Sequence, residues 1–363
     1  MKSSKMIVLS LVLALFFLMS GTVLSETINW RMASCWPPDN ILVEGDRYFA
    51  KVVDELSEGQ LKIKVFPAPQ LVAPDEVFDA VASGAIECGG DWPGYWSGKN
   101  PAFELIGSYP MGLTQYHYIN WYRHYGGQEL IQKLYGKYGL HYYINWVIPM
   151  QSGIRSNIPI RSAEDYEGLK LRISGRPQGH VLQQLGATQV MLATGEVYQA
   201  LQLGTIDGGE VATAAIDWGL GFGEITKYQC APGWHEPSCA YGVMINQEAW
   251  DKLPENLKKI VEMANQATMH YMSHWYEIQE IEALKKFEEA GTEVIQLDED
   301  TLREIEGYVN EYTSQRAKEN EDFREMALSI FTYQKEMIPV QKQLWPFNHG
   351  RLPWVYPDIP GLE

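Results

Sequence analysis

The chain predicts an α/β fold of two lobes built alike and joined by a long helix. Three observations carry this. Residues 74–89 read like residues 194–209, an offset of 120 positions, and both copies show Glu-Val-aromatic-x-Ala-x-x-x-Gly-x-Ile-acid-x-Gly. Strand-period and helix-period segments alternate through the first two thirds of the chain. Between Pro254 and Gly291 there is no proline or glycine, and the apolar positions recur at helical spacing. That stretch predicts a helix of about 35 residues, or about 50 Å at 1.5 Å per residue, a length suited to bracing two lobes. Two like lobes place a ligand in the crevice between them.

The elements follow in order. Residues 27–33 alternate as a first strand, 42–56 read as a helix, and Gly59 leads into the alternating strand 61–66. Each repeat unit reads as a short helix closed by a C-terminal glycine, Gly84 or Gly204, that runs into a strand. Residues 116–138 are tyrosine-rich helix or loop, and 141–150 a strand. Residues 169–173 are a short strand, 179–186 a helix, 188–191 a strand, and 228–245 strand and turn. After the long helix, residues 298–336 read as further helix, and a proline-rich tail starts at Pro346. The expected organisation is a leader over 1–25 and a first lobe over 26–150 plus about 238–275. A second lobe covers 151–237 plus about 276–330, and 331–363 form a C-terminal helix and tail.

The N-terminus reads as a signal peptide. Lys2 and Lys5 precede an apolar run over residues 7–19, and Val23-Leu24-Ser25 suits cleavage before Glu26. Thirteen residues are short for a membrane span; an uncleaved anchor extending to Leu24 is the alternative. Met32-Ala33-Ser34-Cys35 loosely resembles a lipoprotein box but lies beyond the apolar run, after Arg31. The expectation is an exported, periplasmic protein.

The formal charge is −17, and −19 once residues 1–25, with two lysines and no acids, are removed. Nucleic acid and anionic membrane faces are poor partners for such a chain. A small anion is not excluded, because one arginine or a bound cation reverses the field locally. Twelve Trp and 21 Tyr supply core and cleft walls with polar tips.

Four cysteines, Cys35, Cys88, Cys230 and Cys239, allow three pairings in an oxidising compartment. Cys230 and Cys239 close a loop containing Pro232, Gly233 and Pro237 and are the expected pair. A zinc set of Cys230, His235 and Cys239 lacks a fourth ligand at suitable spacing. No nucleophile elbow, His-Glu-x-x-His helix or phosphate loop occurs. His235 and Glu236 offer acid–base groups for a hydrolase, without a nucleophile paired to them in sequence, so no enzyme is expected.

Four stretches carry a family resemblance: Gly168-Leu169-Lys170-Leu171-Arg172-Ile173, Gly195-Glu196-Val197-Tyr198-Gln199-Ala200-Leu201, Gly204-Thr205-Ile206-Asp207-Gly208-Gly209-Glu210 and Gly233-Trp234-His235-Glu236-Pro237. In this order, with the long helix, the mature chain resembles substrate-binding proteins of tripartite ATP-independent periplasmic (TRAP) transporters. The likeness is to the branch that binds 2-oxo or 2-hydroxy monocarboxylates with a metal ion. The resemblance implies a two-lobed periplasmic binding protein fold, a small organic carboxylate as ligand and the membrane subunits of a TRAP permease as partner. A sensory binding protein is the alternative within the same fold.

The resemblance also assigns residues. Arg172 takes the ligand carboxylate, for which a planar guanidinium fork is suited; an ion pair with Glu167 or Asp165 is the bland alternative. Gln151, Glu210 and the backbone carbonyl of Val211 hold the cation, and Glu236 is a candidate to reach it from the hinge region; the bland alternative is that Glu210 pairs with a lysine or arginine and Gln151 is merely polar. An all-oxygen set suits Ca²⁺ or Na⁺. Position, not the resemblance, offers Tyr95 as the first-lobe candidate, since it follows the first repeat as Glu210 follows the second, with Trp92 and Trp96 on the same wall; ordinary packing is the alternative for each, and a solvated carboxylate for Glu236. The branch commonly has tryptophan where this chain has Val211, which implies room for a bulkier ligand tail. A homodimer through residues 322–344 and docking of that segment on its own lobes both fit its apolar content.

Overall fold

The computed structural model describes residues 27–192 and 194–344. The expected leader and proline-rich tail lie outside the described residues.

Eleven strands form two sheets among the described residues. The first sheet has the order β2-β1-β3-β10-β4, built from β1 (Ile28–Ser34), β2 (Leu61–Phe66), β3 (Cys88–Asp91), β4 (Leu140–Ile148) and β10 (Cys239–Asn246). The second has the order β11-β9-β5-β8-β6-β7, from β5 (Ile154–Ser156), β6 (Lys170–Arg172), β7 (Thr188–Gln189), β8 (Gly208–Gly209), β9 (Tyr228–Ala231) and β11 (Glu293–Gln296). In each sheet a parallel helix-connected set (β1, β2 and β3; β6, β7 and β8) is completed by an antiparallel strand from later or earlier in the chain.

The two repeat units occupy corresponding places. The helix Val77–Ala82 leads to β3, and the helix Thr194–Gln202 leads to β8. Gly84 and Gly204 both have left-handed φ, +76° and +67°, as a helix-ending glycine requires. One residue past the matched pattern the copies diverge. A Cβ on Gly90 would lie 2.2 Å from the Asp46 carboxylate, whereas the second copy has Glu210.

The long helix spans Glu255–Glu289, 35 residues. Its first half packs on the helix Val43–Leu56 and on β4, and its second half on the helix Ala214–Gly219 behind the second sheet. It therefore braces both sheets. Along it the buried face changes, from Leu257, Val261 and Ala264 in the first lobe to Ala283 and Phe287 in the second.

Two expectations are corrected. The helical stretch after β11 is not continuous: Glu299–Glu319 and Glu321–Leu344 meet at Asn320, whose extended backbone breaks the helix. Asn320 then accepts from the Phe323 amide and starts the next helix. The expected Cys230–Cys239 disulfide is absent, and all four cysteines are free and buried. Cys230 sits on β9 in the second sheet and Cys239 on β10 in the first, so the intervening loop changes lobes instead of closing a turn. The C-terminal helix docks on its own chain through Phe323, Met326, Ala327, Ile330 and Tyr333.

Candidate functional site

Two crossover segments join the sheets side by side, β4 to β5 and β9 to β10. The Gln151 amide donates to the Glu236 carbonyl (3.1 Å), which ties one crossover to the other. Gly233 permits this approach, since a Cβ there would lie 2.0 Å from the Gln151 carbonyl oxygen. The segments that change lobes thus carry Gln151, His235 and Glu236. Arg172 ends β6 and Glu210 follows β8, the neighbouring parallel strand, so both stand at the carboxyl edge of the sheet, where α/β folds gather ligand groups.

Between the lobes lies a cavity of about 40 Å³. Trp36, Asn40, Leu42, Trp92 and Tyr95 line it from the first lobe, and Arg172, Ser174, Thr194 and Val211 from the second. Glu236, Cys239 and Tyr241 close it at the crossover. Glu210 and Gln151 stand directly behind this lining, 0% and 2% exposed.

The polar groups form one connected set. Arg172 Nη1 donates to the Glu210 carbonyl (2.5 Å) and to its Oε1 (3.3 Å). Its Nε and Nη2 make only long contacts, 3.4 Å each, to the Leu192 carbonyl. Glu210 Oε1 also accepts from the Ser174 amide (2.9 Å), while Oε2 is buried without a partner. Gln151 Nε2 donates to Glu236 Oε2, and the His235 ring bonds Gln151 Oε1 at 3.1 Å.

Burial decides the electrostatics. It raises the Glu210 carboxyl above the ordinary range, against the pull of Arg172. Glu236 is pushed up further, by burial first and by the Glu210 charge second. Two buried carboxyls thus share one guanidinium, so one negative charge lacks a counter-charge when both are ionised. His235, pushed down to about 3 by burial, is neutral and holds the Gln151 amide.

Sequence reasoning missed the scaffold beneath Val211. The Val211 amide donates to Asp217 Oδ1 (3.2 Å), and Asp217 pairs with Arg155 (3.5 Å), both fully buried. Glu280 of the long helix accepts from the Ala214 and Ala215 amides, 2.9 Å each, at the start of the helix Ala214–Gly219. Arg155 lies over the Phe287 ring at 3.6 Å. The i, i+7 spacing of Glu280 and Phe287 on the long helix was the only available signal. Trp36, Asn40 and Leu42, which precede the repeat in the chain, also join the first-lobe wall. The Arg172 partner is Glu210, not Glu167 or Asp165.

Residues 32–320 match the family described as bacterial extracellular solute-binding protein, family 7. The chain belongs to this family. This solute-binding protein is 30% identical over 311 residues to a monocarboxylate 2-oxoacid-binding periplasmic protein of Nostoc sp., covering 86% of this chain and 85% of that one. A TRAP periplasmic solute-binding protein from Colwellia psychrerythraea, with bound calcium and pyruvate, superposes with a TM-score of 0.84 at 28% identity, over 88% of this chain and 98% of that one. Another from Pseudoalteromonas atlantica, with bound sodium and pyruvate, gives 0.82 at 28% identity, over 88% and 97%. The two-lobed fold of the solute-binding protein is therefore that of the TRAP receptors.

Proposed function

We propose that this protein is an extracytoplasmic receptor for a small 2-oxo or 2-hydroxy monocarboxylate. It takes the acid with a calcium or sodium ion into the interlobe cavity and delivers it to the membrane subunits of a TRAP permease. The observation that carries this reading is the pairing of Arg172, at the cavity wall, with the buried carboxylate of Glu210, with the buried Glu236 lining the same cavity. Two Nη2 hydrogens and the Nε hydrogen of Arg172 are held only by long contacts, so its fork is available to a carboxylate.

The donor set fits a hard cation. Glu210 Oε2 is a buried oxygen without a partner, and with both glutamates ionised the single guanidinium leaves one negative charge for a positive ion to balance. Among the described residues no three His, Cys, Asp or Glu side chains cluster as a metal site. Gln151, Glu210, the Val211 carbonyl and Glu236 would together offer a cation an oxygen-only set. When bound, the cation supplies positive charge to the ligand carboxylate and its 2-oxygen. Tyr95 and Trp92 complete the enclosure from the first lobe.

A receptor needs only reversible closure: contacts from both lobes must outweigh the cost of ordering them. No catalytic role is assigned to His235, whose ring is buried, neutral and committed to Gln151. The relatives carry periplasmic names, and the leader read over residues 1–25 supplies the export route. The cavity, about 40 Å³ with Val211 in its wall, suits a short acid and not the bulkier tail that valine in place of tryptophan implied.

Thermal-shift and calorimetric titrations with pyruvate, lactate and branched 2-oxo acids, each with and without CaCl₂ or NaCl, test the reading. At a hundredfold excess over Kd a ligand adds about 2.7 kcal/mol to stability, a shift of a few degrees. Binding of a monocarboxylate that strengthens with added cation is expected. No binding by any of these acids rejects it.

A further inference from the structure

The C-terminal segment ties the lobes together outside the ligand cavity. Its root is in the second lobe. Strand β11 pairs parallel with β9, the Leu297 amide donates to the Ala231 carbonyl (2.8 Å), and the helix Glu299–Glu319 packs on the helix Arg176–Gln184. The Tyr312 ring lies 5.2 Å from that of His180. Its end is in the first lobe. Beyond Asn320, the helix Glu321–Leu344 is fastened by Lys133–Glu325 (2.6 Å), Asn100–Asp322 (2.8 Å) and Trp121–Ser329 (3.0 Å).

The last turns before the break already reach across. Tyr312 Oη donates to Glu104 Oε2 (2.9 Å), and Tyr109 Oη and Thr313 Oγ1 are 2.7 Å apart. Arg316 Nε donates to the same Tyr312 oxygen (3.0 Å). Glu104 belongs to the short helix Phe103–Gly107 of the first lobe, is 3% exposed, and leaves Oε1 without a partner. A phenol rooted on one lobe therefore satisfies a buried carboxylate of the other, and the cation of Arg316 polarises it.

We propose that Glu104, Tyr312 and Arg316, with Tyr109 and Thr313 beside them, form an interlobe latch. It sets the closed fraction of the protein, and through it ligand affinity, without touching the ligand. When the lobes part, Tyr312 stays with the second lobe and Glu104 with the first, so these bonds break. The Asn320 joint lets the helix Glu321–Leu344 remain on the first lobe. Apparent affinity scales with the population of the binding-competent form, so a weaker latch costs affinity even with an intact cavity. The affinity part of the inference rests on the receptor reading above; the opening part does not.

The experiment pairs two readouts on the full mature chain. Spin labels at Lys252→Cys and Leu203→Cys, exposed positions on opposite lobes, report interlobe distance by pulsed dipolar spectroscopy without ligand. Calorimetry with pyruvate and CaCl₂ reports affinity. Tyr312→Phe removes only the hydroxyl and keeps the ring against His180; Glu104→Gln, of equal volume, is the second variant. Both are expected to move the ligand-free distribution to longer distances and to weaken pyruvate binding about fivefold, the loss of one hydrogen bond. Unchanged distances in both variants overturn the latch, as does weaker binding without a change in distance. If the parent protein binds no pyruvate, the receptor reading fails, and the ligand-free distances still decide the latch.

Discussion

Arg172 and Glu210 are joined through side chain and backbone at once. The guanidinium donates to the Glu210 carbonyl at 2.5 Å and to its carboxylate at 3.3 Å, and the Glu210 amide returns a bond to the Arg172 carbonyl at 3.0 Å. Adjacent parallel strands β6 and β8 thus deliver the arginine and the acid to the cleft as one rigid unit. Neither residue has to be ordered on binding, which keeps the entropic cost of recognition low.

Replacing Arg172 by Ala removes the carboxylate fork. The expected result is a loss of pyruvate affinity of at least about a hundredfold, from truncating one partner of a buried charge pair. Arg172→Lys, which keeps the charge without the fork, falls between. Calorimetry alongside circular dichroism checks this, and parent-like binding by a folded Arg172→Ala protein rejects the assignment.

Glu210→Gln keeps the shape and removes the charge that is expected to face the cation. Thermal shifts with pyruvate should then be the same with CaCl₂ as with a chelator. A calcium effect as large as that of the parent places the cation elsewhere.

Gly90→Ala tests the asymmetry of the two repeat copies. The added methyl would lie 2.2–2.4 Å from the Asp46 carboxylate, against buried surroundings. Overpacking of this kind costs about 1–3 kcal/mol. Denaturant unfolding should show that loss, and Asp46→Ala in the same chain should recover part of it.

Stability should fall as pH rises from about 4 to 7. Burial pushes the Asp46 carboxyl up to about 7, with the Asp91 charge adding to it and Ser34 and Arg47 opposing. The folded state therefore holds a proton that the unfolded chain has already released in that window, so ionisation penalises the fold as pH climbs. Asp46→Asn is expected to flatten the slope and to gain on the order of 4 kcal/mol at pH 8. Urea melts at pH 4.5, 6 and 8 measure it, and an unchanged slope would remove Asp46 as its source.

Much of the architecture was legible because it is written in local period. The strand Leu61–Phe66 alternates through residue 65, and the long helix carries an unbroken helical pattern between a proline and a glycine. The repeat exposed the two-lobed plan because its glycines answer one backbone need at matching corners. Asn320 was not legible, since a single polar residue in a helical pattern is ordinarily tolerated and only docking on different lobes on either side demands a break. The cysteine pairing failed for the same kind of reason, because chain proximity says nothing about which sheet a strand joins.

The amino-acid order by itself determined the α/β class, the doubled unit, the bracing helix and, through motif resemblance, the family to which the chain belongs. These depend on short-range periodicity and on glycine conformation, which each segment carries within itself. Tertiary structure alone decided that Arg172 is paired with Glu210, that Asp217, Arg155 and Glu280 stand beneath Val211, and that Tyr312 reaches Glu104 across the lobes. Apart from Val211 and Asp217, those are contacts between residues far apart in the chain. Burial, not sequence spacing, determines which buried charge meets which partner.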